Sequence, residues 1–200
     1  MNQATAHIVD DDAAIRDALS WLLRSRGVPA QTWESGEAFL AAVSGDTRGC
    51  VVLDIRMEGM SGIEVFEQLL GRGYTIPVIF LTGHGDVPLA VTALKGGAFD
   101  FVEKPFNGNH LVDRIIEAMR KDQAQRQKRE EEAGVSARLA QLTAREREVM
   151  ERILAGDYNK TIAETLGISV RTVEVHRSHV FEKMEVRSAV ELAQLLSSAR

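Results

Sequence analysis

A lone cysteine, Cys50, excludes any disulfide within the chain. It lies in CVVLD (50–54), an apolar run that favours a packing role over a reactive one. No uninterrupted apolar stretch approaches the roughly 20 residues of a membrane-spanning helix, and no secretory leader is read at the start. A cytoplasmic protein without a membrane partner is therefore expected. The front of the chain also lacks excess positive charge. Residues 1–122 carry 11 Lys and Arg against 17 Asp and Glu, a net −6, which argues against nucleic acid binding there. Residues 123–200 carry 13 against 12, a net +1.

What is present is a regular alternation. Short apolar runs at 6–9 (AHIV), 30–33 (AQTW), 50–54 (CVVLD), 76–82 (IPVIFLT) and 99–103 (FDFVE) read as strands. Amphipathic helical patterns fill 13–25, 35–43, 61–71, 86–96 and 108–121. Ser61 to Glu64 is a capping box, and Asp86 with Pro88 is expected to open the fourth helix. The third and fourth strands are almost continuously apolar, as strands buried on both faces should be. Five βα units predict a doubly wound α/β domain over 1–122 with the flavodoxin-like parallel order 2-1-3-4-5. Residues 123–141 are rich in Lys, Arg, Gln and Glu and read as a charged helical linker, broken near Gly134. From 142 to 200 the pattern is helical throughout. Thr143 to Glu146 is a second capping box, and Asn159, Ser169 and Ser188 are candidate caps of three further helices. Four helices in this span predict a compact all-α domain.

Three consecutive carboxylates, Asp10, Asp11 and Asp12, stand where the first strand ends. An acidic turn that caps the next helix is one explanation; a site for a hard cation is the other. In an open parallel sheet, ligands gather beyond the carboxyl ends of the strands where the order reverses. Asp10 and Asp11 follow strand 1, Asp54 ends strand 3, Thr82 ends strand 4, and Lys104 follows strand 5. Singly, Thr82 is a strand-end hydroxyl and Lys104 a surface charge. Together they place a hydroxyl, an ammonium and a Mg²⁺-type acid cluster around one carboxylate, a set suited to accepting a phosphoryl group.

The segments IVDDD, VVLDIRMEGMSG, IPVIFLTGHGD and FDFVEKPF resemble the receiver domain of two-component response regulators. The resemblance implies Asp54 as phosphoacceptor, with Asp10, Asp11 and the backbone carbonyl of Arg56 joining it around Mg²⁺. It implies Thr82 as the group that follows the phosphoryl, Phe101 as the aromatic switch, Lys104 as a phosphoryl contact, and a cis Lys104–Pro105 bond. Asp12 is left mostly as a helix cap. One departure is clear: family members usually read Met-Pro-Gly after the phosphoacceptor strand, whereas this chain reads Met57-Glu58-Gly59. The change bears on metal affinity and phosphoryl lifetime.

In the back half, NKTIAETLGISVRTVEVHRSHVFEKM (159–184) has helix-turn-helix character. Gly167 makes the turn, Ser169 caps the second helix, and Ile162, Leu166, Ile168, Val173, Val180 and Met184 have core spacing. Arg171, Glu174, Val175 and Ser178 then fall on an outward face, which periodicity alone reads equally as a solvated face or a DNA-reading one. LTAREREVM, TVEVHR and KMEVRSAVELA are similar to the DNA-binding domain of LuxR-type regulators, and the pairing of the two domains resembles the FixJ/NarL branch on its FixJ side. That resemblance implies base-edge contacts from Glu174, Val175 and Ser178, and phosphate contacts from Lys160, Thr172 and Arg177. His176 is expected to be partly buried.

Residues 143–200 carry nine basic and nine acidic side chains, so one such domain should bind DNA weakly and two together far more tightly. The expected function is a response regulator that takes a phosphoryl group from a sensor histidine kinase. It would then form a homodimer through the receiver face bearing Val91, Lys95 and Phe101, bind double-stranded promoter DNA, and act on RNA polymerase. Two alternatives stand beside it. An aspartyl phosphatase would need a second acid two residues after Asp54, where Arg56 sits; an atypical regulator would bind DNA without phosphorylation.

Overall fold

Alternate residues of each inner strand feed two different apolar layers, and this fixes the first half of the molecule. The structure is a computed structural model that describes residues 3–83 and 87–198. In β1 (Thr5–Val9), β3 (Gly49–Asp54) and β4 (Val78–Thr82), the side chains of Ala6, Ile8, Cys50, Val52, Ile79 and Leu81 enter one core. Their neighbours Val9, Val51, Leu53, Val78 and Phe80 enter the other. A strand with both faces buried must be largely apolar, as these are apart from His7 within β1 and the polar residues at their ends, Thr5, Asp54 and Thr82. β2 (Ala30–Trp33) and β5 (Asp100–Glu103) complete a parallel sheet of order β2-β1-β3-β4-β5.

α1 (Ala13–Ser25) supplies Leu19 and Leu23 to the first core. α2 (Gly36–Ala42) and α3 (Gly62–Gly71) supply Phe39, Leu40, Val65, Phe66 and Leu69 to the second. α4 (Val87–Lys95) lies beside β4 and β5. The expected N-cap of α4, Asp86, lies outside the described residues. The Ser61–Glu64 capping box forms in both directions.

α5 (Gly108–Ala140) runs unbroken through the segment expected to break near Gly134. A glycine inside a helix costs about 1 kcal/mol relative to Ala, and here tertiary contacts offset it. Val135 is 4% exposed and Leu139 packs on the same core, while Arg138 bonds the Gly134 carbonyl. At its other end α5 supplies Leu111, Val112, Ile115 and Ala118 to the first core. Asp122 is buried and accepts from the Gly49 N–H (2.9 Å) and from Arg126, whose guanidinium also donates to the carbonyls of Gly45 and Thr47. The chain divides into compact units Met1–Arg126 and Gln127–Arg200.

The second unit holds α6 (Ala144–Leu154), α7 (Asn159–Leu166), α8 (Val170–Met184) and α9 (Ala189–Ser198). All six side chains expected in its core are there: Ile162, Val173, Val180 and Met184 buried, Leu166 and Ile168 packed against them. Gly167 ends α7 at φ +65°, a left-handed turn that glycine adopts without strain, and Ser169 caps α8 through the Thr172 N–H. Ser188 accepts from the Glu191 N–H. Asn159 is not a cap: Tyr158 occupies that position without a side-chain bond, and Asn159 is already helical. No helix among the described residues is long and apolar enough to cross a membrane.

Candidate functional site

The parallel register brings the ends of β1 and β3 side by side, with Val9 opposite Leu53. The next residue of each strand line, Asp10 and Asp54, therefore opens onto the same edge. One carboxylate oxygen from each of Asp10, Asp11 and Asp54 lies within 4.8 Å of the other two. Asp10 is fully buried, Asp54 is 7% exposed, and Asp11 is open to solvent. Gly62 allows the following helix to start this close: a Cβ there would stand 2.1 Å from the Asp54 carbonyl oxygen.

Lys104 reaches the cluster from the far side. The backbone N–H of Lys104 donates to the Thr82 carbonyl (2.7 Å), and the Lys104–Pro105 peptide is cis. Its Nζ stands 3.1 Å from Asp10 Oδ2 and 3.1 Å from Asp54 Oδ1. Burial pushes the Asp54 carboxyl above its ordinary value; Lys104 opposes this, and the charges of Asp10 and Asp11 add to it. Burial disfavours the Lys104 ammonium, but its bond to Asp10 and the negative charge of Asp54 prevail and raise its pKa. One lysine thus serves two acids beside a third. Oxygen donors in this arrangement fit a small hard divalent cation.

The other residues singled out in this unit are partly at this edge and partly away from it. Thr82 is fully buried and its hydroxyl has no hydrogen-bond partner among the described residues, which leaves it available to a ligand oxygen. Asp12 caps α1 through the Ala14 N–H (2.8 Å), and its own N–H donates to Asp10 Oδ1 (2.9 Å). Arg56 sits in the loop after β3, its side chain exposed. Phe101 is half-buried on β5 against the second core, while Val91 and Lys95 are exposed on α4. Two contributors escaped the sequence: the Glu58 backbone N–H, which donates to Asp11 Oδ2 (2.9 Å), and Glu37, which accepts from the Met60 N–H (3.0 Å). Neither carries a motif signal.

On α8, Arg171, Glu174, Val175 and Ser178 are exposed, as is Lys160 on α7. Thr172 is half-buried with its hydroxyl 2.8 Å from Ser169 Oγ, and the Arg177 guanidinium lies over the Phe181 ring. His176 is half-buried. Tyr158, 84% exposed at the head of α7, was not singled out in the sequence. On α6, Glu146 of the second capping box is buried at 3% exposure. Its Oε2 lies 2.6 Å from Lys183 Nζ and accepts from the Thr143 N–H (2.8 Å). The Lys183 hydrogen bond outweighs burial, and with Thr143 it holds the Glu146 carboxyl down at about 2.

Residues 6–116 match the response regulator receiver domain family, and residues 140–196 match the bacterial regulatory proteins of the luxR family. The chain is 51% identical over 193 residues to the C4-dicarboxylate transport transcriptional regulatory protein DctR of Rhodobacter capsulatus, covering 96% of this chain and 98% of that one. It is 44% identical to the transcriptional regulatory protein FixJ of Bradyrhizobium diazoefficiens, covering 96% and 94%. The solved structure of the response regulator StyR superposes with a TM-score of 0.92 at 40% identity, covering 98% of this chain and 99% of that one. A receiver domain followed by a LuxR-type helical domain defines a response regulator. The chain belongs to the NarL/FixJ family of these regulators. Its relatives regulate transcription and are not enzymes, which removes the phosphatase alternative.

Proposed function

We propose that the receiver, residues 1–122, accepts a phosphoryl group on Asp54 from a sensor histidine kinase. In this reading residues 142–200 bind promoter DNA and 123–141 join the two. A carboxylate oxygen of Asp54 attacks phosphorus; the bond to the kinase histidine nitrogen breaks, and that nitrogen keeps the electron pair. Asp10, Asp11, Asp54 and the Arg56 carbonyl would hold Mg²⁺, which when bound neutralises charge on the phosphoryl oxygens. Lys104 would donate to the same oxygens, and the Thr82 hydroxyl, without a partner among the described residues, would turn toward them. Phe101 on β5 follows Thr82 inward.

That movement alters the α4–β5 face bearing Val91, Lys95 and Phe101, through which two copies pair. Two helical domains then present Glu174, Val175 and Ser178 to base edges, with Arg171 on the same outward face. Lys160, Thr172 and Arg177 take phosphates. The dimer would act in the cytoplasm, on transcription by RNA polymerase.

The observation that carries this proposal is the convergence of three carboxylates within 4.8 Å with Lys104 3.1 Å from two of them. A second reading, DNA binding without phosphorylation, is favoured by the extra negative charge of Glu58 beside Asp11. Light scattering on the full chain separates the two. With Mg²⁺ and acetyl phosphate, the wild type should pass from monomer to dimer while Asp54→Asn stays monomeric. A dimer in both, with or without phosphate, would support the second reading.

A further inference from the structure

Each acid of the cluster is held differently. Asp10 is fixed by the Asp12 N–H and Lys104, and Asp54 by Lys104. Asp11, the exposed one, receives the Glu58 backbone N–H on Oδ2 at 2.9 Å, across 47 residues of sequence. A proline at position 58, the residue its resemblance to receivers leads one to expect, has no N–H and could not make this bond. The substitution thus adds a donor to the site as well as a negative side chain.

The loop that presents this N–H is braced on its other flank. Glu37, in the first turn of α2, accepts from the Met60 N–H at 3.0 Å. Between the two anchors Gly59 turns at φ +77°, and a Cβ there would come within 2.9 Å of Glu37 Oε1. The carboxylate of Glu37 therefore packs against the turn itself. The chain of contacts runs Glu37, Met60, Gly59, Glu58, Asp11.

Building on the metal role proposed above for Asp11, we propose that the Glu58 backbone N–H is a positioning group of the cation site. It holds Asp11 within reach of Asp10 and Asp54, and Glu37 holds the loop that carries it. Groups that orient a metal ligand without touching the metal typically change affinity by about 10- to 100-fold. This arrangement replaces the stiffness of a proline loop by two hydrogen bonds.

The test is calorimetric titration of Mg²⁺ into the unphosphorylated full chain, with thermal melting alongside. Glu58→Pro removes the N–H, and Glu58→Gln removes only the charge. The Pro variant should bind Mg²⁺ about tenfold more weakly than the Gln variant. Glu37→Ala, which keeps the N–H but frees the loop, should weaken Mg²⁺ binding about threefold at an unchanged melting temperature. Equal or tighter binding by Glu58→Pro than by Glu58→Gln would overturn the inference. Were Glu58→Pro to misfold, wild-type affinity in Glu37→Ala would overturn it instead. If the wild type itself showed no Mg²⁺ binding that Asp11→Asn abolishes, the proposed metal site would fall with it.

Discussion

Asp54 and Glu146 are both carboxylates enclosed by protein and paired with a lysine, yet their acidities move in opposite directions. Asp54 is 7% exposed and its carboxyl is pushed up; Glu146 is 3% exposed and held at about 2. The difference lies in their company. Glu146 receives Lys183 and the Thr143 N–H. Asp54 shares Lys104 with Asp10 and faces Asp11 as well. A satisfied acid stabilises a fold, and an under-satisfied one has binding capacity to spare for a cation or phosphoryl group.

The largest effect should come from breaking the satisfied pair. Glu146→Ala leaves Lys183 without its partner and Thr143 without its reciprocal cap, and should destabilise the helical unit by about 2–3 kcal/mol in chemical denaturation. The pH dependence sharpens the contrast. A carboxyl at about 2 when folded and 4.5 when unfolded contributes stability that is fully present above 4.5 and is lost as pH falls toward 2. Glu146→Ala should lack that component in an acid titration monitored by circular dichroism.

Asp54 has the opposite sign. Its raised folded carboxyl means the charged form is a burden at neutral pH that acid relieves. Asp54→Asn should therefore stabilise the receiver at neutral pH, read as a raised urea midpoint, with the gain shrinking as pH falls. A small effect of the same sign belongs to the joining helix. Gly134 sits inside α5, and among the described residues the nearest side chain to an added Cβ is that of Arg138, at 3.9 Å. Gly134→Ala should add about 0.5–1 kcal/mol of helix stability, read as a raised melting temperature of the second unit.

Much of this was legible because it is local. Strands buried on both faces announce themselves as apolar runs, and the residue that ends or directly follows each strand must lie at the sheet edge. Asp10, Asp54, Thr82 and Lys104 could thus be gathered from sequence. The rest depends on partners far along the chain. Gly134 among charged residues reads as a break, and only the burial of Val135 and Leu139 in the second core reverses that. Glu146 reads as a cap, while Lys183, 37 residues away, makes it a buried ion pair. The bond from Glu58 to Asp11 uses a backbone N–H, which side-chain identity does not reveal. Asn159 misled because a good capping residue one position inside the helix looks the same in sequence as one at the cap.

The under-satisfied acid, Asp54, is the phosphoacceptor proposed above. Intact-mass spectrometry after incubation with acetyl phosphate and Mg²⁺, followed by peptide mapping, tests it directly. One added phosphoryl group is expected, carried by the peptide containing Asp54 and absent from Asp54→Asn. An unmodified wild type, or a phosphoryl group that persists in Asp54→Asn, would contradict it.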